Sequence, residues 1–250
     1  MAAILREQIA AVERARGAAE AQLAAEGVLE RAVLRRAFHD IVPLAIGHDR
    51  AKEPKGWCWA QLSDVARLES GHTPSRGRPE WWGGDIPWIA LPDIRNLDGK
   101  VAYDTLEHTN EQGIANSSAR VLPAGTVVLS RTASVGFVTI MGRPMATSQD
   151  FVNWVCGPQL DPRLLALLLI SSRAYIRSLA SGAVHKTVYV PTVKKFQVCI
   201  PPFREQQQIA ATVRKQLTAA ECGRDALEAQ LAAIKALPAA LLRQAFSGEL

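Results

Sequence analysis

The chain has 250 residues, of which 48% are hydrophobic, so it is long enough to bury a substantial core in one or two domains. Its four cysteines, Cys58, Cys156, Cys199 and Cys222, lie far apart without a C-x-x-C pair, which argues against a zinc ribbon or a disulfide framework and suits a reducing compartment. The longest apolar run, residues 164–170, is too short to cross a membrane, and the first residues carry no signal-peptide core, so a soluble, cytoplasmic protein is predicted.

The formal net charge of +5 is unevenly distributed along the sequence. Residues 120–200 carry nine basic side chains and only two acidic ones, whereas residues 51–119 carry seven basic and ten acidic side chains. A basic half-domain is typical of a protein that binds a polyanion such as nucleic acid. Many ordinary domains are also basic, so charge by itself leaves this interpretation open.

Both ends of the chain predict long helices, and the two ends share a repeat. Residues 5–38 are rich in Ala, Leu, Glu and Arg and contain no proline. Residues 20–38 recur at residues 228–246 with 12 identical positions out of 19, which identifies an internal repeat. A helix of about 38 residues is roughly 57 Å long and cannot bury an apolar stripe alone. Each helix therefore requires a partner, either the other helix of this chain or the same helices of a second chain.

Apolar residues at 3-4 spacing define the seam along which these helices are predicted to pair. The seam residues are Ile9, Val12, Leu23, Val213, Leu217, Leu227, Leu231, Ile234 and Leu241. Pro238 interrupts the second helix and is expected to kink or restart it near Leu237. An ordinary core helix is the alternative interpretation, but the length, the duplication and the terminal placement favour coiled-coil pairing.

Between the helices, the sequence predicts one globular domain over residues 51–202. Residues 1–50 hold the first helix and the start of a linker that ends in a Pro/Gly cluster near residue 56, and residues 203–250 hold the second helix. Short β-type runs separated by Gly and Pro predict strands at residues 86–91, 125–130, 136–141, 151–156, 187–190 and 197–200. The predicted fold class is therefore α+β, with a mixed α/β domain flanked by two long coiled-coil-forming helices.

One helix is predicted to interrupt these strands, from Pro162 to Ala180. Asp161 is a suitable N-cap for it, and Gly182 is a suitable stop. Two further features concern packing. The six tryptophans are expected in the core rather than as stacking platforms for bases, and Glu205-Gln206 is expected to cap or pack the start of the second long helix.

A series of motifs runs in order through the domain and into the second helix. These motifs are WAQLSDV (59–65), SGHTP (70–74), WGGDIPWI (82–89), LPAGTV (122–127), SRTASVG (130–136), ATSQ (146–149), IPPFREQQQI (200–209) and LRQAFSGEL (242–250). Their combination resembles the specificity subunit of Type I restriction–modification systems. The chain resembles a half-size form of that subunit, with one target-recognition domain between two spacer helices.

The resemblance implies a DNA-recognition subunit without a catalytic site of its own and without a cofactor of its own. It implies three kinds of partner: double-stranded DNA, methyltransferase subunits that bind S-adenosylmethionine, and a motor–nuclease subunit. A complete subunit of this family has two recognition domains, each reading half of a bipartite site. A chain with a single such domain is therefore expected to form a homodimer through its flanking helices and to recognise an interrupted palindrome.

Cationic and small polar residues in predicted loops are the candidates for DNA contacts. The loops are residues 71–79, 116–120, 130–134 and 185–187. The candidate side chains are His72, Thr73, Arg76, Arg78, Arg120, Arg131, Thr132, Ser134, His185, Lys186 and Thr187. Arg131 and Lys186 come first because they lie in the basic half, and Arg131 is placed to contact guanine O6 and N7. For each of these residues, an ordinary solvated side chain is the alternative.

Catalytic interpretations have little support in the sequence. Pro92-Asp93 followed by Asp98-Gly99-Lys100 imitates a metal-dependent nuclease motif, but only four residues separate the acids and Asp98-Gly99 predicts a turn. No nucleotide-binding loop or base-methylation motif is present, and the five histidines lack metal-ligand spacing. No catalytic residue and no metal site are therefore predicted. A scaffold that binds only proteins remains the other alternative.

Overall fold

Two long helices form one compact unit of the protein, and the chain between them forms the other. The computed structural model describes residues 2–182 and 185–247. The helical unit comprises the chain before Ala37 and after Ala211, and the globular unit spans Ala37–Ala211. The predicted recognition domain, residues 51–202, lies inside this globular unit.

The helices and strands of the described residues have the following bounds. The α-helices are α1 (Ala2–Ala37), α2 (Leu62–Val65), α3 (Leu91–Leu97), α4 (Glu111–Ala115), α5 (Pro162–Ser171), α6 (Arg173–Ser178), α7 (Val190–Val193) and α8 (Phe203–Ser247). The strands are β1 (Leu44–Ile46), β2 (Cys58–Gln61), β3 (Ala66–Ser70), β4 (Trp82–Ile89), β5 (Val101–Ala102), β6 (His108–Thr109), β7 (Val127–Ser130), β8 (Val138–Met141), β9 (Ala146–Thr147), β10 (Phe151–Cys156) and β11 (Phe196–Ile200). A short 3-10 helix, Pro79–Trp81, precedes β4.

Within the described residues, the strands of the globular unit form three sheets. Their orders are β3-β10-β7-β8-β5, β1-β11-β2 and β6-β4-β9. The largest sheet is antiparallel except for β5, which runs parallel to β8. The β1-β11-β2 sheet is antiparallel throughout, and in the third sheet β9 runs parallel to β4. Strands and helices follow one another in irregular order along the chain, which confirms the predicted α+β class.

The core of the globular unit is built on the five-stranded sheet, which packs against α3 and α5. All four residues of β7 are buried, as are residues 164–169 of α5. A helix that is apolar on all sides must be enclosed by other elements, which explains why this leucine-rich segment forms the central helix. Each fully buried large aliphatic side chain contributes roughly 1.5–3 kcal/mol to stability.

Several sequence predictions within this unit are confirmed. Asp161 caps α5, because its Oδ1 accepts a hydrogen bond from the Arg163 backbone N at 2.8 Å. The helical region ends before Gly182, whose φ of 121° is a value that glycine adopts readily and other residues rarely adopt. Gln206 packs the start of α8 as expected: it is buried, accepts from the Asp161 backbone N at 2.9 Å and donates to the Pro201 carbonyl at 3.0 Å.

Other predictions are wrong in detail. The linker expected over residues 40–56 contains β1, because buried Leu44 and Ala45 add to the edge of β11. The strand expected at residues 187–190 is reduced to isolated bridges at Thr187, and a helical turn starts at Val190. Pro191 explains the change, since proline lacks an N–H donor for a sheet and suits the first turn of a helix.

Two predicted helices also differ from expectation. The segment 162–180 is divided into α5 and α6 at Ser172, which is buried and has non-helical backbone angles. The second long helix does not restart near Pro238, because α8 continues through this residue to Ser247, and the alternative expectation of a kink at Pro238 stays a prediction.

In the helical unit, α1 and α8 pair with each other within one chain. Glu30 contacts Arg224 at 2.8 Å and Glu20 contacts Lys235 at 3.8 Å, so the helices run antiparallel. Their apolar cluster consists of Val12, Ala19, Leu23, Leu231, Ile234 and Leu241. The remaining predicted seam residues are buried or half-buried: Ile9, Val213, Leu217 and Leu227. No helix among the described residues combines the length and apolar character needed to cross a membrane.

Candidate nucleic-acid interface

The loop after β3 and the segment after α4 line one cavity of about 670 Å³, which we name the polar cleft. Its lining residues are His72, Thr73, Ser75, Trp81, Ala115, Asn116, Ser117 and Ser118. Among the described residues that line it there is no Lys, Arg, Asp or Glu. The cleft instead presents hydroxyl, amide and imidazole groups, which donate and accept hydrogen bonds in the way that base edges require. Two loops predicted separately from the sequence thus meet at one surface.

Indole groups and close backbone contacts hold the loop after β3 in place. The Nε1 atoms of Trp82 and Trp88 donate to the carbonyls of Ser75 and His72, each at 3.3 Å. A Cβ atom at Gly71 would collide with the Ser148 carbonyl oxygen, so only glycine allows this approach. Trp57, Trp88 and Trp154 are buried in the core as predicted, whereas Trp59, Trp81 and Trp82 are only half-buried, and Trp81 lines the polar cleft.

Arg76 is fixed within this loop rather than free in solvent. Its two terminal nitrogens donate to the carboxylate of Glu107 at 2.6 and 2.7 Å, and its guanidinium lies 4.0 Å from the centre of the Trp82 ring. The hydrogen bond to Glu107 raises the pKa of Arg76, and the same bond lowers the pKa of Glu107. A bidentate, stacked guanidinium of this kind restrains the loop.

Two other predicted DNA-contacting arginines also face carboxylates. Arg78 lies 3.6 Å from Glu80, and Arg120 lies 3.0 Å from Glu69. Glu69 is a buried residue of β3 and also pairs with Arg67. Much of the positive charge on these loops is therefore neutralised within the protein.

Gln149 joins the polar cleft to the strand end that carries Arg131. The Thr73 hydroxyl donates to Gln149 Oε1, and Arg131 Nη2 donates to the Gln149 carbonyl at 2.6 Å. Arg131 is half-buried, and its Nε has no hydrogen-bond partner within the described part of the chain. Arg131 pairs with none of the described carboxylates, so its positive charge is retained.

The turn after β7 is held from both sides. Thr132 forms a bridge with Thr187, and the Ala133 backbone N donates to the Lys186 carbonyl at 3.1 Å. Gly136 has a φ of 87°, and a Cβ there would lie 2.9 Å from the Arg173 side chain. Arg173 donates to the Gly136 carbonyl at 2.8 Å and pairs with Asp98 at 2.7 Å. The turn is therefore a rigid support for the side chains it carries.

Beside this turn lies a second cavity of about 600 Å³, which we name the basic cleft. Its lining residues are Arg95, Ala133, Ser134, Val135, Phe137, Arg177, Ser178, Ala180 and Lys186. Three of them are cationic, and no Asp or Glu occurs among the described residues that line it. A series of contacts joins the basic cleft to the polar cleft. At the basic cleft, the Lys186 carbonyl accepts a hydrogen bond from Ala133, which lies two residues after Arg131. Arg131 donates to Gln149, and Gln149 accepts from Thr73 of the polar cleft.

The two acids that imitate a nuclease motif have structural partners. Buried Asp93 accepts hydrogen bonds from the backbone N atoms of Ala90 and Leu106, at 2.9 and 2.8 Å. Asp98 pairs with Arg173 and accepts from the Val138 backbone N at 2.9 Å. Both carboxylates are thus occupied in stabilising turns and helix ends.

Comparison with known protein families agrees with this geometry. The family model described as Type I restriction modification DNA specificity domain matches residues 54–222, which is more than half of the chain. The chain belongs to this family. The match covers the five-stranded sheet and both clefts, so the candidate interface lies within the specificity domain.

Named relatives are specificity subunits as well. The chain is 29% identical over 167 residues to the Type I restriction enzyme MjaIX specificity subunit of Methanocaldococcus jannaschii, covering 66% of this chain and 39% of that protein. It is 28% identical over 151 residues to the HindI specificity subunit of Haemophilus influenzae, covering 59% of this chain and 32% of that protein. The chain therefore spans less than half the length of these relatives.

Solved structures show the same fold. One, described as the structural basis of complex assembly and conformational transition of the type I R-M system, matches 100% of this chain and 58% of its own, with a TM-score of 0.80 and 18% identity. The HsdS subunit from Thermoanaerobacter tengcongensis matches 99% of this chain and 57% of its own, with a TM-score of 0.65 and 18% identity. These solved structures therefore share the fold of this chain.

The predicted contact residues fall into distinct places in this specificity domain. His72 and Thr73 line the polar cleft, Ser134 and Lys186 line the basic cleft, and Arg131, Thr132 and Thr187 lie on the connection between them. Arg76, Arg78 and Arg120 are paired with acids, and His185 is exposed but lines neither cleft.

Sequence reasoning did not single out Arg95, Arg177 or Gln149. Arg95 and Arg177 lie on helices, whereas the DNA contacts predicted from the sequence lie in loops. Gln149 was visible only as the last residue of the family motif ATSQ.

Proposed function

We propose that the protein recognises a specific sequence in double-stranded DNA as the specificity subunit of a Type I restriction–modification complex. One observation carries this proposal: within a specificity domain, a neutral cleft rich in hydrogen-bonding groups is connected to a cleft lined by three cations. Phosphate contacts position a protein on DNA and base contacts specify the sequence, and the two clefts suit these two tasks.

In this proposal, the chain directs partner subunits to DNA and performs no chemistry itself. Methyltransferase subunits supply the bound S-adenosylmethionine, and a motor–nuclease subunit supplies cleavage. The complex acts on DNA in the cytoplasm. The structural contacts of Asp93 and Asp98 support a non-catalytic role, because neither carboxylate is available to bind a metal without breaking them.

We further propose that two chains assemble through their helical units. The seam between α1 and α8 is already filled within one chain, so the surface for a second chain must be another face of the helix pair. Large apolar side chains of the two long helices are exposed outside this seam: Ile4, Val28, Leu29, Leu237, Leu242 and Phe246. Two specificity domains related by a two-fold axis would read an interrupted palindrome.

The mass of the protein in solution tests this assembly, first alone and then with methyltransferase subunits and duplex DNA. Two chains are expected in the complex, and the double substitution of Val28 and Leu29 by Glu should leave one chain, because both side chains are exposed in the monomer. Leu231→Asp is the contrasting variant, since it buries a charge in the α1–α8 seam and should lower helix content. A wild-type complex with a single chain would contradict the dimer.

DNA binding separates this function from that of a protein-binding scaffold. A DNA reader loses affinity steeply as salt rises, by about 0.9 log units per log salt for each phosphate neutralised. A scaffold would bind no duplex, either alone or with the methyltransferase subunits.

A further inference from the structure

Six of the twelve arginines of the globular unit are neutralised by acids in the described structure. Ion pairs with carboxylates involve Arg67, Arg76, Arg78, Arg120, Arg163 and Arg173. Arg95, Arg177 and Lys186 form no ion pair within the described part of the chain, and all three are exposed. These three cations come from α3, α6 and the segment before α7, yet they line the same basic cleft.

Arg177 is held in a defined orientation without being neutralised. Its Nε donates to the Val135 carbonyl at 2.9 Å, and its guanidinium lies 5.7 Å from the centre of the Phe137 ring. The terminal nitrogens of Arg177 have no hydrogen-bond partner within the described residues. A guanidinium anchored through Nε presents its two terminal nitrogens together, which is the geometry that binds two oxygens of one anion.

The rest of the cleft also suits an anionic oxygen ligand. Ser134 and Ser178 contribute hydroxyl groups to its wall, and Val135 and Phe137 of the rigid turn also line it. Since no acid lines it in the described chain, three positive charges gather with nothing beside them to compensate. Such a concentration of charge is stabilised when a polyanion binds and releases its counterions.

We infer that the basic cleft binds a backbone phosphate of the recognised DNA, with Arg177 as a bidentate ligand and Arg95 and Lys186 as neighbouring charges. This inference rests on the proposed function and adds the site and the class of ligand within it. The cleft contributes affinity for any duplex, whereas the polar cleft and Arg131 contribute the preference for one sequence.

The test is a salt titration of duplex binding by the full chain with its methyltransferase subunits, using a duplex of random sequence. Arg95→Gln, Lys186→Gln and Arg177→Gln are each compared with the wild type. Each contacting residue should lower the slope of log affinity against log salt by up to about 0.9 and weaken binding equally on all sequences. Arg204→Gln is the matched control, because Arg204 is an exposed arginine of the same unit that lines neither cleft, and its slope should not change.

A folding defect in one variant would not prevent the interpretation of this test. Arg177→Gln removes a hydrogen bond to Val135, but the side chains of Arg95 and Lys186 make no such contact in the described structure, so these two variants carry the test if Arg177→Gln unfolds. Wild-type protein that binds no duplex would overturn the proposed function itself. Wild-type binding with unchanged slopes in Arg95→Gln and Lys186→Gln, or an equal change in Arg204→Gln, would overturn the phosphate site alone. A loss confined to one DNA sequence would also overturn it, because that result identifies base contacts.

Discussion

The two clefts of the specificity domain differ in the chemistry of their walls. The polar cleft carries hydroxyl, amide and imidazole groups without a charged residue among the described ones, and the arginines beside it are bound to acids. The basic cleft carries three cations with no carboxylate partner. In the proposed function, base edges are distinguished at the uncharged cleft and phosphate is held at the cleft whose charge is uncompensated. This difference indicates a separation of specificity from affinity within one small domain.

Arg131 lies between the clefts, and its loss should have the largest effect. Arg131→Ala is expected to weaken binding to the specific sequence by roughly 1–3 kcal/mol, with a smaller loss on random duplex, because it removes both a base contact and the hydrogen bond to Gln149. Affinities for both duplexes measure this. Arg143→Ala is the control, since Arg143 also donates to a backbone carbonyl, that of Asp85 at 2.9 Å. An equal loss on both duplexes would make Arg131 a phosphate contact.

A hydroxyl of the polar cleft should affect sequence preference without affecting the salt dependence. Thr73→Val keeps the shape of the side chain but removes the hydrogen bond to Gln149, at an expected cost of about 1 kcal/mol for the specific duplex. The slope against salt should stay that of the wild type. Thr192→Val, in α7 and away from both clefts, should change neither quantity. A lower salt slope for Thr73→Val would show that the polar cleft also contributes to electrostatic binding.

The smallest expected change is a gain of affinity. Glu107→Gln removes the carboxylate that neutralises Arg76, so Arg76 should then attract phosphate and raise affinity for random duplex severalfold, with a steeper salt dependence. Glu111→Gln, which removes an exposed acid without a contact to Arg76, is the control. If Glu107→Gln weakens binding instead, the ion pair acts mainly by holding the loop in shape.

The elements of the fold that could be predicted are those that local sequence patterns determine. The repeat identified both long helices, and β10 was predicted with its observed bounds because its apolar run ends at a Gly-Pro turn. The apolar run of α5 and its Asp161 cap identified the central helix. In contrast, β1 was missed because its three residues become a strand only through pairing with β11, which lies far away in sequence.

The candidate site was harder to predict from the sequence, because it depends on contacts between residues that are far apart in the chain. Arg120 meets Glu69 at a separation of 51 residues, so its neutralisation leaves no local signal. Arg95 and Arg177 lie on different helices and become neighbours only in the folded domain. The basic half of the sequence favours Arg131 and Lys186 as contacts, and the structure puts both next to the same turn.

The most direct test of the central claim is to select bound duplexes from a random-sequence pool with the assembled protein and methyltransferase subunits, and to sequence them. The account predicts strong enrichment of one bipartite sequence, which a homodimer would make an interrupted palindrome. It also predicts that Arg131→Ala changes the enriched bases, while Arg95→Gln lowers recovery without changing them. Recovery of duplexes with no sequence preference, or no recovery at all, would contradict the claim that this chain specifies a DNA site.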